Sequence, residues 1–184
     1  MAFELVRALA YTEIDDNLHM ARLLLLMAAV SGRGVKPVDG ITKLAKLDFL
    51  LRYPTCLERA LHAVGQNADT AIVQPFERST IEAKMVRFRY GPWDPLYRRW
   101  LALLVAKRLV HVSAHGRTVI LHTTELGRNA ADTLAQDSAL GDLAQRARLI
   151  GAAFGSYSGK ALAAFFEQTF PEIESVKWGE RIGV

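Results

Sequence analysis

A mostly helical α+β fold is what this sequence predicts, and three observations predict it. Apolar residues recur at helical spacing over most of the chain. Alternation of period two is confined to about Lys84–Tyr90 and to two short arms, 109–113 and 118–122. A helix over about Asp94–Arg108 runs directly into those two arms, and another helix follows them. A helix leading into a two-stranded hairpin is the mark of a winged helix, with the hairpin as wing and the preceding helix as recognition helix. The expected organisation is an N-terminal arm at 1–15, a winged-helix domain with an inserted segment at 16–136, and a C-terminal helical extension at 137–184. The extension is expected to pack on the same core.

The chain has 184 residues, about half of them apolar and 23% charged, which reads as a folded soluble protein. Its one cysteine, Cys56, excludes an internal disulfide framework and reads as a buried, inert thiol. The opening MAFELVRALAYTEIDD has no continuous apolar run, which argues against a signal peptide. The longest apolar runs, LLLLMAAV at 23–30 and LALLVA at 101–106, fall far short of the roughly 20 residues a membrane span needs. A cytoplasmic protein with no membrane partner is expected.

Each element has a local reason. Asp15 or Asp16 can cap a helix from about Asp16 to Val30, which is apolar almost all round after His19 and so reads as buried between layers. SGRGVKPVDG at 31–40 carries three glycines and a proline and reads as a plain linker. In ITKLAKLDFLLRYP, Thr42 is the expected N-cap, Ile41, Leu44, Leu47 and Phe49–Leu51 form the apolar face, and Lys43, Lys46 and Arg52 lie largely outside it. Pro54 ends this helix or begins the next, TCLERALHAV, which Gly65 stops. Residues 66–81 are polar and mixed and read as loop or partly helical.

In the next strand Val86, Phe88 and Tyr90 face one way and Met85, Arg87 and Arg89 the other, wet way; Gly91-Pro92 ends it. Asp94 then caps a helix whose inner side holds Leu96, Trp100, Leu101, Leu104 and Val105. Trp93 and Trp100, seven residues apart, are placed to share one helical face. The turn Ala114-His115-Gly116-Arg117 closes the hairpin, with Gly116 supplying the positive φ. Thr124 caps a helix to about Gln136. Two more helices follow, about Leu140–Phe154 and Gly159–Phe170, the second ended by Pro171. The last residues, with Val176 and Trp178, read as a docking arm because both are costly to expose.

No catalytic constellation is present. There is no CxxC pair, HExxH, GxxxxGK[ST] loop or GxSxG elbow. His111 and His122 can face each other across the hairpin, but no further zinc ligands accompany them. No metal or cofactor is expected, and the chain is not expected to be an enzyme. Asp39 and Asp48 read as residues on or near helix starts and surfaces.

Charge distribution is more informative. The net charge is +4 and the pI near 9.4. Between Lys84 and Arg128, nine lysines and arginines face only Asp94 and Glu125, a local charge of +7, so the rest of the chain carries −3. Arg87, Arg89, Arg98, Arg99, Lys107, Arg108, Arg117 and Arg128 are therefore the candidate nucleic-acid face, with Arg117 at the wing tip. The same face can dock an acidic protein. Tyr90, Trp93, Phe170 and Trp178 are the candidate partner contacts; base stacking is disfavoured because the rings interleave with the core pattern.

Four segments carry a resemblance. DGITKLAKLDFLLRYPTCLERAL (39–61), MVRFRYGPWDPLYRRWLALLVAKRLV (85–110), TTELGRNAADTLA (123–135) and SGKALAAFFEQTFPEI (158–173) resemble, in the same order, hallmarks of the middle-component proteins of bacterial ABC three-component systems. Lys160 departs from the small or hydroxyl residue expected there, and residues 1–15 match nothing. Carried over by position are Lys43, Lys46, Asp48, Arg52, Tyr53 and Pro54, then Arg87, Arg89, Tyr90, Gly91, Pro92, Trp93 and Asp94, then Ser158, Gly159, Thr169, Phe170, Pro171 and Glu172. Structural jobs are offered for several of these: Asp48 pairing with Lys43 or Arg52 on its own helix, Gly91-Pro92 setting a sharp turn, Phe170-Pro171 sealing a helix end.

The resemblance implies an accessory subunit without catalysis. Such subunits link an SMC- or Rad50-like ATPase to an effector, often a nuclease, in Lamassu-related anti-phage defence. The implied partners are that ATPase and the effector, with double-stranded DNA on the basic face and a second copy of the chain as further candidates. The competing reading is a winged-helix transcriptional regulator.

Overall fold

The structure, a computed structural model, describes residues 15–32, 36–71, 73–78, 85–88, 91–180 and 182. The arm expected before residue 15 and the candidate residues Arg89 and Tyr90 lie outside them. The described chain is a mixed α/β fold with a small three-stranded open sheet and several helices.

The first helix, α1 (Asp16–Ser31), is capped as its sequence predicts: Asp15 accepts from the Asn17 backbone N–H. Leu23–Met27 are all buried, because α1 runs between α5 (Glu125–Leu134) and α6 (Gly141–Phe154) on some sides and α2 (Ile41–Arg52) and α4 (Tyr97–Ala106) on others. The expected linker at 31–40 contains a strand, β1 (Val38–Asp39). It pairs antiparallel with β5 (Thr118–Thr123), which pairs in turn with β4 (Val110–His115), in the order β1-β5-β4. Two residues of strand within a glycine- and proline-rich stretch leave too short a periodicity to detect.

The α2 helix departs most from expectation. Gly40 (φ 97°) precedes it and Thr42 is not its cap. Lys43, Lys46, Asp48 and Arg52 are buried with the leucines, so the helix is covered all round. Its sides meet α1, α3 (Pro54–Ala63), α6, α7 (Gly159–Thr169), β1 and a two-stranded ribbon of β2 (Val86–Phe88) and β3 (Gly91–Trp93). Gly91-Pro92 thus forms the ribbon's second strand rather than an exit from the first. Met85, expected on the wet side, is buried, and its N–H donates to the Tyr53 hydroxyl at 2.7 Å.

The chain's last described residues run beside β2. Gly179 N–H donates to Arg87 O, Arg87 N–H to Glu180 O, and Ile182 N–H to Met85 O. The expected docking arm therefore docks on its own ribbon, leaving Trp178 63% exposed. The α7 helix ends just before Pro171, as expected, and Pro171 then opens a short further helix, α8 (Pro171–Ser175). Arg146 of α6 ties down the 3-10 turns Ala68–Ala71 and Pro75–Arg78, donating to Ala71 O and gripping Glu77. Cys56 is buried, and burial pushes its thiol up to about 12. Among the described residues no helix is long and apolar enough to cross a membrane.

Candidate functional site

The basic segment is organised by α4 and the hairpin. Asp94 accepts from Leu96 N–H in a turn before α4, and the helix itself begins at Tyr97. Tyr97, Trp100, Leu101 and Leu104 are its buried side. Trp93 lies on β3, not on the helix; it and Trp100 flank Tyr97 edge-on, at 5.3 and 5.7 Å between ring centroids. Leu96 and Val105, expected inside, are both exposed, Val105 by 40%. On a helical projection the outward arc holds Arg98, Arg99, Ala102, Val105 and Ala106, all exposed.

Arg108 adopts a left-handed conformation (φ 58°) and turns the chain from α4 into β4. Thr124 holds the base of the hairpin: its hydroxyl donates to the Arg108 carbonyl and accepts from Gly127 N–H as the cap of α5. The hairpin is one rung longer on each arm than expected and closes with the two-residue turn Gly116-Arg117. Gly116 takes φ 58°, as that turn requires. Val110, Val112 and Ala114 alternate onto one face; Val110 is buried, while Val112, beyond the body, is 40% exposed.

The seven candidate cations within the described residues divide into two groups. Arg87 is half-buried and donates to Val176 O at 2.6 Å. Arg99 forms a two-point grip on Asp16, and Arg128 donates to Thr123 O. Arg98, Lys107, Arg108 and Arg117 are exposed, and no ion pair among the described residues engages them. Of the candidate partner contacts, Trp93 is half-buried and Trp178 exposed. Phe170 is fully buried, packed on Phe49 and Phe166, so its ring belongs to the core and not to an accessible surface.

Beneath this face lies a polar centre that helical periodicity did not reveal. Asp48 is fully buried. It accepts from Arg22 Nε at 2.7 Å and Nη2 at 3.1 Å, and from the Tyr97 hydroxyl at 2.6 Å. These hydrogen bonds go to α1 and α4 rather than to Lys43 or Arg52, although the Asp48 charge still acts on Arg52. Burial, then the Asp48 charge, raises Tyr97 far above its ordinary range, which keeps its hydroxyl protonated and donating. Arg22 Nη1 also meets His19 Nδ1 at 2.7 Å; a guanidinium only donates, so Nδ1 accepts and the imidazole is neutral. His19 stacks on Trp100, with ring centroids 4.2 Å apart.

Arg52 reaches Asp94 at 2.7 Å. Burial opposes its charge, but Asp48, Tyr97 and Asp94 outweigh it and raise the guanidinium. Lys43 donates to Gly155 O at 2.9 Å, and burial lowers its ammonium. These charges are spent on joining α1, α2, α4 and α6. They leave no acid–base pair facing an open pocket.

His111 and His122 are cross-strand partners, their rings 5.9 Å apart, with His122 Nε2 on Ser113 Oγ. No group of three or more metal-binding side chains occurs among the described residues. The outward chemistry of this region is therefore four unengaged cations around a small apolar surface. No family model, curated protein or solved structure matches the chain.

Proposed function

We propose that the chain is a non-catalytic winged-helix subunit that works by docking. In this reading it links an SMC- or Rad50-like ATPase to an effector in an anti-phage defence complex. The order α1, β1, α2, α4, hairpin, with α3, the two 3-10 turns and the β2–β3 ribbon inserted between α2 and α4 and with β1 closing onto β5, supports the winged-helix reading. The link to the ATPase and the effector rests on the sequence resemblance over 39–173.

The observation that carries the docking role is the outward arc of α4. A helix that reads a major groove needs side chains that hydrogen-bond to base edges. Here Ala102, Val105 and Ala106 fill three of the five positions on that arc, and Arg98 is its one polar residue with no ion pair among the described residues. Such a surface suits a protein better than a specific DNA sequence. Lys107, Arg108 and Arg117 can still touch phosphates, adding a contact without sequence preference.

Tagged protein isolated from its native host tests the proposal. A large SMC- or Rad50-like ATPase and an effector are expected at near-stoichiometric amounts. Binding to random duplex should weaken steeply with salt. A free homodimer that holds one short duplex about 1,000-fold tighter than random DNA, with no ATPase attached, would establish the regulator instead.

A further inference from the structure

We propose that the surface formed by the outward arc of α4 and the projecting part of the hairpin receives an acidic amphipathic helix of a partner protein. The inference deepens the docking reading and rests on it. Three observations identify the occupant. First, residues 95–124 contain no aspartate or glutamate, while Arg98, Arg99, Lys107, Arg108 and Arg117 fall within them. Second, among the described residues only Arg99 of these five meets a carboxylate, that of Asp16, and the other four side chains are exposed. Third, apolar side chains are exposed on the same two elements. Ala102 and Val105 lie along α4, and Val112 stands on the sheet face it shares with buried Val110 and Leu121.

Position sets the partner's pattern. Arg98 and the Lys107–Arg108 pair lie at opposite ends of α4, roughly 14 Å apart at a helical rise of 1.5 Å per residue. Val105 lies between them. A complementary helix carries carboxylates near both ends, about two and a half turns apart, and aliphatic side chains at i, i+3 and i+4 between them. Phosphates would neutralise the cations but leave Val105 and Val112 facing polar oxygens. An acidic helix with an apolar stripe satisfies both features.

The test uses the full chain and a labelled 16-residue helical peptide of that pattern, with glutamates at its ends and a leucine stripe. A second peptide carries glutamine for every glutamate. Anisotropy should show saturable binding of the acidic peptide and about tenfold weaker binding of the neutral one, the size of one or two charge contacts. Val105→Asp and Arg98→Glu should each weaken the acidic peptide by about tenfold or more. Amide shifts on peptide binding should map to α4 and β4.

No binding of the acidic peptide, or shifts confined to another face, overturns the proposal. Three other outcomes overturn it by naming a different occupant. One is random duplex binding that Arg98→Glu abolishes and Val105→Asp leaves unchanged. The second is self-association lost on Val105→Asp. The third is a peptide of residues 1–14 that outcompetes the acidic probe. Peptide binding without an ATPase in the native-host isolation would keep this surface and discard the assembly.

Discussion

The α2 helix and the α4–hairpin region draw on the same kinds of residue and place them in opposite ways. In α2, Lys43, Lys46, Asp48 and Arg52 sit among the core leucines. In α4 and the hairpin, Val105 and Val112 lie in solvent among arginines and lysines. Charges in α2 are buried because neighbouring elements supply Arg22, Tyr97, Asp94 and the Gly155 carbonyl. Among the described residues, Asp16 alone supplies a carboxylate to the cations around α4. The first region spends its polarity on holding the protein together, and the second keeps it for another molecule.

The largest effect should come from breaking the inward region. Asp48→Ala strands the Arg22 guanidinium and the Tyr97 hydroxyl in the core and should cost about 3–5 kcal/mol in urea unfolding. A loss below about 1 kcal/mol would mean that water reaches Arg22, and the contrast between the regions would fail. Next comes Gly127→Ala. A Cβ there would run into the Leu109 carbonyl, in the turn from α4 into β4. That carbonyl already accepts from Thr124. Crowding it should cost about 1–3 kcal/mol and speed amide exchange in the hairpin. If exchange is unchanged, the outward face is not anchored through α5.

Much of this fold is legible in the sequence because its helices have local signals. Asp15 and Thr124 cap where they are expected to. Gly116 turns the hairpin where expected. What is not legible depends on contacts between elements far apart in the chain. Lys43, Lys46 and Arg52 read as the wet side of α2 because periodicity counts charges as outward. It cannot register that β3, α7 and α6 cover that side. Phe170 fails in the reverse sense, as a candidate contact that Phe49, 121 positions earlier, draws into the core. The candidate surface is only half legible: its cations stand out as a run without acids, whereas Val105 follows the same spacing as its buried neighbours. Val105 is 40% exposed, and the spacing it shares with buried Leu101 and Leu104 does not reveal that.

A smaller effect is expected from the outward region itself. Val105→Asp and Arg98→Glu should each change unfolding free energy by no more than about 0.5 kcal/mol, since both side chains are exposed and Arg98 has no ion pair among the described residues. Set beside the Asp48→Ala loss, this near-neutrality is the contrast in its sharpest form. A cost above about 1 kcal/mol for Val105→Asp would show that the valine already has a partner within the chain.

The smallest effect concerns the one cation on α4 that crosses between the two behaviours. Arg99 is exposed, like Arg98, yet its guanidinium meets Asp16 at 2.6 Å, and Trp100 Nε1–H donates to the same carboxylate. The Arg99 hydrogen bond lowers the Asp16 carboxyl below its ordinary value of 3.8, against a weaker opposing effect of burial. A carboxyl depressed in the folded state adds stability above its unfolded value, and that stability disappears as the pH falls through the folded one. Side-chain carboxyl carbon shifts should place the Asp16 midpoint below 3.8, and Arg99→Gln should move it upward. The unfolding midpoint at pH 7 should fall only slightly, because exposed pairs contribute little. A midpoint unmoved by Arg99→Gln would mean that Arg99 is not committed to Asp16. It would then join Arg98 as a fifth outward cation, and a partner would have to bring another carboxylate to the N-terminal end of α4.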